Sequence, residues 1–211
     1  MRPPKNSRIE PAEGHHPRRL IIGISGASGI IYGVRALELL QHADVETHLV
    51  MSKSAEMTLA YEADLQPAAL RALASKHYQV SNIGAAISSG SFPTMGMLIL
   101  PCSVRTMSEI ATGATSSLLT RAADVVLKER RNLVLGVRET PLHVGHLRTM
   151  TQLAEMGAIV APIVPAFYNR PQSVADIVNH TVGRLLDLFG IDAGTVQRWT
   201  GAPERRSSSK P

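Results

Sequence analysis

Residues 19–40 read RLIIGISGASGIIYGVRALELL, an apolar run that passes through a glycine-spaced loop into a helical pattern. Residues 20–22 form the aliphatic run typical of a strand covered on both faces of a parallel sheet. Three glycines recur in the following loop: Gly23, Gly26 and Gly29. Glycine lets the backbone turn tightly and approach a ligand closely. Apolar residues from Ile30 to Leu40 then recur at helical spacing, so this stretch predicts the first strand, loop and helix of an α/β fold.

The loop itself predicts an anion site. Ser28 stands where a helix N-cap is expected, and the N–H groups and positive dipole end of a helix start favour a phosphate. The spacing G-x-x-G-x-x-G matches neither the dinucleotide fingerprint nor the P-loop. The next strand, residues 45–50, leads into Ser52 and Lys53 rather than an acidic residue for a ribose, which favours a mononucleotide over a dinucleotide. The alternative is a tight turn that packs helix on sheet and binds nothing.

Strand and helix patterns alternate along the rest of the chain. The further predicted strands are residues 45–50, 97–100, 132–137 and 158–161. The predicted helices after the first are residues 52–61, 118–130, 143–156 and 174–189, with a further helical pattern over 64–80 and a loop over 83–92. This alternation predicts a single α/β domain with a doubly wound parallel sheet of the flavodoxin-like or Rossmann-like kind.

Length and charge set the domain organisation. The chain has 211 residues, which suits one domain, and a net charge of +5. We predict a disordered basic tail over residues 1–18, one folded domain over 19–190, and a partly disordered tail over 191–211. No aromatic residues interleave with the basic residues before the first strand or with Arg205, Arg206 and Lys210 near the end, so we expect solvated tails rather than nucleic-acid binding.

The chain carries one cysteine, Cys102, which excludes an internal disulfide and suits a reducing cytoplasm. A lone cysteine at a strand end is more often buried packing than a nucleophile. No apolar run reaches the length of a membrane span, and the start lacks the apolar core of a signal peptide, so we expect a soluble cytoplasmic protein with no membrane partner. His143 and His146 lack a third ligand nearby, so we predict no metal site.

Seven stretches together resemble the flavin prenyltransferase family of the UbiX type. They are GISGASG, HLVMSK, ISSGSF, PCSVRT, RAADVVLKERR, VRETPLHVGHL and PAFYNRPQS, in the family's order over about residues 19–190. The chain departs from the family at three positions: Arg105 replaces a lysine, Asn169 a histidine, and Ile83 a tryptophan found in some members.

The resemblance implies a reaction. A dimethylallyl group moves from dimethylallyl phosphate to N5 and C6 of reduced FMN, and the prenylated FMN becomes the cofactor of a UbiD-type decarboxylase in the ubiquinone pathway. The resemblance also implies that no metal is required and that the protein is a dodecamer with sites at subunit junctions. Whether the donor is the monophosphate or the pyrophosphate stays open.

The resemblance implies the site residues as well. The residues expected to hold FMN are Gly26, Ala27, Ser28, Ser52, Ser103, Val104, Arg105, Thr106 and Arg138. The residues expected at the dimethylallyl phosphate are Lys128, Tyr168, Arg184 and Arg121. Cleavage of an allylic C–O bond leaves negative charge on the phosphate, so fixed cations are needed there.

Catalytic roles fall on Ser28 and Glu139 as proton-handling groups and on Lys128 at the phosphate. The structural alternatives are a helix cap for Ser28 and a surface salt bridge between Arg138 and Glu139. Two other functions compete with prenyl transfer. An FMN-dependent decarboxylase of cysteinyl substrates would carry PASANT-like and PxMNxxMW-like segments, where this chain has PCSVRT and PIVPAFYNR. A non-catalytic flavin-binding or flavin-delivery protein would lack turnover with the prenyl donor.

Overall fold

The computed structural model describes residues 17–199 and residue 201, and these form one six-stranded parallel sheet. The strands are β1 (Arg19–Ile24), β2 (Glu46–Met51), β3 (Lys76–Tyr78), β4 (Gly96–Cys102), β5 (Asn132–Val137) and β6 (Ile159–Val160). Their order across the sheet is β3-β2-β1-β4-β5-β6. The five strands predicted from the sequence therefore lie in flavodoxin-like order, and β3 extends the sheet by one strand at its edge.

Helices cover both faces of this sheet. They are α1 (Ile30–Leu40), α2 (Lys53–Glu62), α3 (Pro67–Ala72), α4 (Val104–Ala111), α5 (Leu118–Lys128), α6 (Val144–Glu155) and α7 (Val174–Asp187). The buried side chains of α1, α2, α3 and α7 form one apolar core with one face of the sheet. Those of α4, α5 and α6 form a second core on the opposite face. The predicted doubly wound α/β fold is confirmed.

The central strand β1 supplies both cores because successive side chains of a strand point to opposite faces. Leu20 and Ile22 belong to the core under α1 and α7, whereas Ile21 belongs to the core under α4 and α5. All three are at most 1% exposed. The continuous aliphatic run in the sequence thus reflects burial on two sides, as expected for a parallel sheet.

The helical pattern expected over residues 64–80 is only partly right. A helix occupies Pro67–Ala72, but residues 76–78 form the edge strand β3. This strand is held by its neighbour: it pairs in parallel with β2, and the Tyr78 hydroxyl lies 2.9 Å from Nδ1 of His48. Its three residues include no aliphatic side chain, so no alternating pattern reveals it, and tertiary pairing overrides local preference.

The loop predicted over residues 83–92 contains only a short 3-10 helix, Ala86–Ser88. Ile83 is 63% exposed in it. The expected tails lie mostly outside the described residues, but residues 191–199 are described and pack on α7, with Ile191 4% exposed. Within residues 17–199, no helix has the length and apolar character needed to cross a membrane.

Candidate active site

Ser25 joins two loops at the carboxyl edge of the sheet. It follows β1 directly and is fully buried. Its hydroxyl donates to the carbonyl oxygen of Pro101 at 3.0 Å and accepts from the N–H of Ser103 at 2.7 Å. A buried hydroxyl with both roles filled fixes the spacing of the backbone around it. Ser25 was not among the predicted site residues, although a serine directly after a buried strand is a usable signal.

Backbone hydrogen bonds extend this edge to two further loops. The N–H of Ser52 donates to Ile24 at 2.9 Å, and the N–H of Arg138 donates to Cys102 at 3.0 Å. The loops after β2, β1, β4 and β5 therefore form one continuous surface, which we call the four-loop edge. Open parallel sheets bind ligands at such an edge, near the point where strand order reverses. All nine residues predicted to hold FMN lie in these loops or in the first turn of α4.

Two glycines shape the first loop for physical reasons. A Cβ at Gly26 would lie 2.4 Å from Cβ of Ser54, so only glycine allows the loop to pass this close to the start of α2. Gly29 has a φ of 94°, in the left-handed region that favours glycine. The close approach at Gly26 and the turn at Gly29 explain why the stretch needs glycine at these two positions.

The start of α1 differs from the prediction. The N-cap residue of α1 is Gly29, which has no side chain to accept a hydrogen bond, so the assignment of Ser28 as the N-cap is wrong. The carboxylate of Glu62 accepts instead from the N–H groups of Gly29 at 2.8 Å and Ile30 at 3.0 Å. A carboxylate at a helix N-terminus is favoured by the dipole. In this chain the predicted anion position at the start of α1 is therefore filled by Glu62, and the Ser28 hydroxyl is not needed as a cap.

Glu62 also connects Ser28 with Arg138. Burial raises the pKa of the Glu62 carboxyl, but hydrogen bonding from Ser28, Ile30 and Gly29 and the positive charge of Arg138 outweigh burial and lower this pKa overall. Glu62 therefore stays ionised at neutral pH beside the two predicted site residues. Glu62 was not among the predicted site residues. The sequence did contain one signal. An acidic residue at the C-terminal end of a helix is unfavourable for the helix dipole, so a glutamate at the end of α2 indicates another role for that side chain.

Ser52 and Ser103 cap the two helices that begin at the four-loop edge. The hydroxyl of Ser52 accepts from the N–H of Ala55 at 3.1 Å, and that of Ser103 accepts from the N–H of Thr106 at 3.3 Å. Ser103 also donates to the Thr106 hydroxyl at 3.2 Å. The remaining free N–H groups of α2 and α4 point to the edge, with the positive ends of two helix dipoles.

The basic side chains of the edge are exposed. The Arg105 side chain is 85% exposed and pairs with Glu109 one turn along α4 at 3.0 Å. Arg138 is exposed, and within the described residues no salt bridge joins it to Glu139. Glu139 is half-buried, and its Oε1 accepts from the N–H of Thr140 at 3.0 Å. The alternative of a surface salt bridge between Arg138 and Glu139 is therefore not observed.

Tyr168 and Arg184 lie on the α7 side of the molecule. The Tyr168 hydroxyl is 3.1 Å from Nε2 of His180, and its ring meets Trp199 edge-on with centroids 5.9 Å apart. Arg184 is exposed and donates to Asp187 at 2.6 Å. The structure therefore brings two of the predicted donor-binding residues to the same helix.

Lys128 and Arg121 lie elsewhere, on α5, which covers the opposite face of the sheet. Lys128 ends this helix, is exposed and pairs with Glu129. Arg121 pairs with Asp124 at 2.8 Å. Because α5 and α7 cover opposite faces, Lys128 and Arg121 lie across the sheet from Arg184.

The surroundings of Cys102 and His143 indicate structural roles for both side chains. Complete burial raises the pKa of the Cys102 thiol to about 12, so this cysteine is not a nucleophile at neutral pH. His143 caps α6, because its Nδ1 accepts from the N–H of Gly145 at 3.0 Å. Its ring stacks on His146 with centroids 3.6 Å apart. Within residues 17–199, no group of three or more His, Cys, Asp or Glu side chains is arranged to hold a metal ion.

A doubly wound sheet with a glycine loop and two capped helix starts at one edge is the architecture of a mononucleotide-binding flavoprotein. The family model described as Flavoprotein matches residues 8–186. The flavin prenyltransferase UbiX of Escherichia coli K12 is 59% identical over 188 residues, which cover 88% of this chain and 100% of that protein. The chain belongs to the flavin prenyltransferases of the UbiX type.

Two solved structures agree with this assignment. The crystal structure of AnUbiX (PadA1) in complex with FMN and dimethylallyl pyrophosphate matches with a TM-score of 0.87 and 46% identity, covering 89% of this chain and 100% of that one. The dodecameric FMN-dependent UbiX-like decarboxylase from Escherichia coli O157:H7 matches with a TM-score of 0.85 and 47% identity, covering 87% and 100%.

Proposed function

We propose that this chain transfers a dimethylallyl group from dimethylallyl phosphate to N5 and C6 of reduced FMN and releases prenylated FMN. The observation that carries the proposal is the four-loop edge, which gathers all the predicted FMN residues in a chain that matches a flavin prenyltransferase over that protein's whole length. The reaction needs no metal ion, since the cations at the departing phosphate are side chains.

The residues of the edge fit FMN. Gly26 lets the first loop pass close to Ser54 at the start of α2, and the starts of α2 and α4 offer N–H groups to a phosphate. Ser52, Ser103 and Thr106 supply hydroxyls, and Arg138 supplies positive charge. Reduced FMN, when bound, supplies the two nucleophilic ring atoms.

Glu139 and Ser28 handle protons in this proposal. Glu139 is half-buried at the end of β5, where a carboxylate can take a proton from the flavin ring during ring closure. Ser28 works beside the ionised Glu62, whose pKa the Ser28 hydroxyl helps to lower. Glu62 therefore joins the site as a positioning residue.

The donor phosphate is held by Lys128, Arg121, Tyr168 and Arg184. Arginine offers a planar fork, lysine a point charge and tyrosine a neutral donor. Since α5 and α7 cover opposite faces of one chain, these residues meet only if different subunits contribute them. A homo-oligomer with sites at subunit junctions meets this requirement, and we propose a dodecamer, the state named for one structural neighbour.

The product serves as the cofactor of a UbiD-type decarboxylase in ubiquinone biosynthesis, which we propose as the partner. The single cysteine, a buried thiol, supports a reducing compartment, and we propose the cytoplasm.

The test is anaerobic incubation with reduced FMN and either dimethylallyl phosphate or dimethylallyl pyrophosphate, followed by mass analysis of the flavin. We expect the flavin mass to rise by one prenyl unit, and the amount of modified flavin to exceed the amount of protein several-fold. Comparison of the two donors shows whether the protein uses the monophosphate or the pyrophosphate. A bound but unmodified flavin would instead indicate a flavin-binding or delivery protein. Carbon dioxide released from a cysteinyl peptide by FMN-loaded protein would indicate the decarboxylase alternative.

A further inference from the structure

Tyr168 and His180 form a hydrogen-bonded pair with very unequal exposure. Tyr168 is 52% exposed, whereas His180 is 4% exposed on the inner face of α7. The hydroxyl oxygen of Tyr168 lies 3.1 Å from Nε2 of His180, and the two rings meet edge-on with centroids 5.5 Å apart. The exposed ring is thus fixed at its polar end by a buried imidazole.

The Tyr168 hydroxyl is the one polar contact of this imidazole among the described residues. Nδ1 of His180 is buried and has no hydrogen-bond partner there. Losing the bond to Tyr168 would leave both ring nitrogens unsatisfied inside the protein, which is costly. The pair is therefore strongly coupled, and the position of the tyrosine hydroxyl depends on His180.

The surroundings keep His180 neutral. Burial lowers its pKa, the positive charge of Arg184 one turn further along α7 lowers it further, and Asp187 acts in the opposite direction. A neutral imidazole has one N–H and one bare nitrogen, so it can either donate to the tyrosine oxygen or accept from the phenolic hydrogen. The two arrangements aim the phenolic hydrogen in different directions.

We propose that His180 is a positioning residue for the prenyl donor, and that its Nε2–H donates to the Tyr168 oxygen so that the phenolic hydrogen is free for the donor phosphate. This inference rests on the proposed function of Tyr168. In the reverse arrangement the tyrosine would face the phosphate with lone pairs alone, which repel an anion. Arrival of the phosphate therefore selects the tautomer with hydrogen on Nε2.

A double-mutant cycle in donor binding tests this proposal without turnover. The four proteins are the parent, His180→Phe, Tyr168→Phe and the double variant, each loaded with oxidised FMN and titrated with dimethylallyl phosphate by calorimetry. Phenylalanine preserves the buried aromatic volume and removes the hydrogen bond. We expect His180→Phe to weaken donor binding roughly fivefold to tenfold in the parent. In the Tyr168→Phe background we expect it to change binding by less than about twofold.

Rescue separates positioning from packing. In His180→Gln the side-chain amide N–H reaches about as far as Nε2, so we expect donor binding within about twofold of the parent. Reduced-FMN turnover should show a raised donor KM with a smaller change in kcat for His180→Phe, and unchanged FMN affinity. If His180→Phe does not fold, His180→Leu takes its place, since α7 is otherwise apolar on this face.

The chain offers a matched control. Tyr78, on the edge strand β3, is also bonded to a buried histidine, since its hydroxyl lies 2.9 Å from Nδ1 of His48. Tyr78→Phe should leave donor binding unchanged.

Equal weakening by His180→Phe with and without the Tyr168 hydroxyl would overturn the proposal, and so would failure of His180→Gln to rescue. Binding of the donor with a non-additive cycle but no prenylated product would refute the proposed function alone. No donor binding by the parent would refute both.

Discussion

Glu62, which was not predicted as a site residue, makes the structure of the first loop differ from the predicted one. It occupies the start of α1, bonds to Gly29 and Ile30, and lies beside Ser28 and Arg138. Ser28, which was predicted as a helix cap, instead lies next to the Glu62 carboxylate and helps to lower its pKa. Glu62, Ser28 and Arg138 give the loop proposed to bind the flavin an ionised acid, a hydroxyl and a cation, which would serve proton transfer there.

Glu62→Gln should remove a pH-dependent part of the stability. Because the pKa of Glu62 is lowered on folding, its ionised form stabilises the protein above its ordinary pKa of 4.5. That stabilisation is lost as pH falls through the lower folded-state pKa. We therefore expect the parent to melt above the variant at pH 6 and the gap to close in strong acid, as measured by thermal unfolding across pH. A gap that stays constant with pH would contradict this role.

Glu139→Gln should separate binding from rate. The amide can still accept from the N–H of Thr140, so the loop and FMN affinity should be preserved. Product formation should slow about 100-fold or more, because general acid–base help is typically worth that much. Stopped-flow turnover beside an FMN titration provides the measurement. Parent-like turnover would remove Glu139 from proton transfer.

At the scale of elements, α2 and α4 both begin at the four-loop edge, on opposite faces of the sheet, and each is capped by a serine. The serine that caps α2 was visible in the sequence, because an apolar strand ending in serine before a helical pattern is a local signal. No helix was predicted over α4, so its serine cap was not foreseen. The hydrogen bonds of Ser25 were not visible in the sequence, because they join Ser25 to Pro101 and Ser103, which lie 76 and 78 positions further along the chain. The edge strand β3 was also hidden, because its pairing with β2 rather than its own composition makes it a strand.

Ser52→Val and Ser103→Val should act on both stability and ligand. Loss of each cap should cost about 1 kcal/mol of stability. Loss of a hydroxyl and a blocked approach should weaken FMN by on the order of 1 to 3 kcal/mol. Ser117→Ala is the matched control, because Ser117 caps α5 and is not among the proposed FMN residues. The control should lower the melting temperature and leave FMN affinity unchanged. Unchanged FMN affinity in both valine variants would remove these loops from the site.

At the scale of the whole molecule, the sequence predicted the fold well because the strands of a parallel sheet carry long buried runs. The assignment of side chains to the site came from the resemblance and stays a prediction. The residues themselves carry no signal of which face of the sheet each side chain lies on. Lys128 and Arg184 are 56 positions apart, and only the sheet topology places them on opposite faces. A site that needs both therefore requires more than one copy of the chain.

The most direct test of this account is subunit complementation between Lys128→Ala and Arg184→Ala. Each variant alone should be nearly inactive with dimethylallyl phosphate, because a lost cation at a departing phosphate costs transition-state stabilisation. When the two are co-expressed, some junctions combine an intact Lys128 from one subunit with an intact Arg184 from another. The account predicts that such mixed oligomers regain a measurable fraction of parent activity, whereas a mixture of two Arg184→Ala preparations does not. Mixed oligomers no more active than the separate variants would contradict a site shared between subunits.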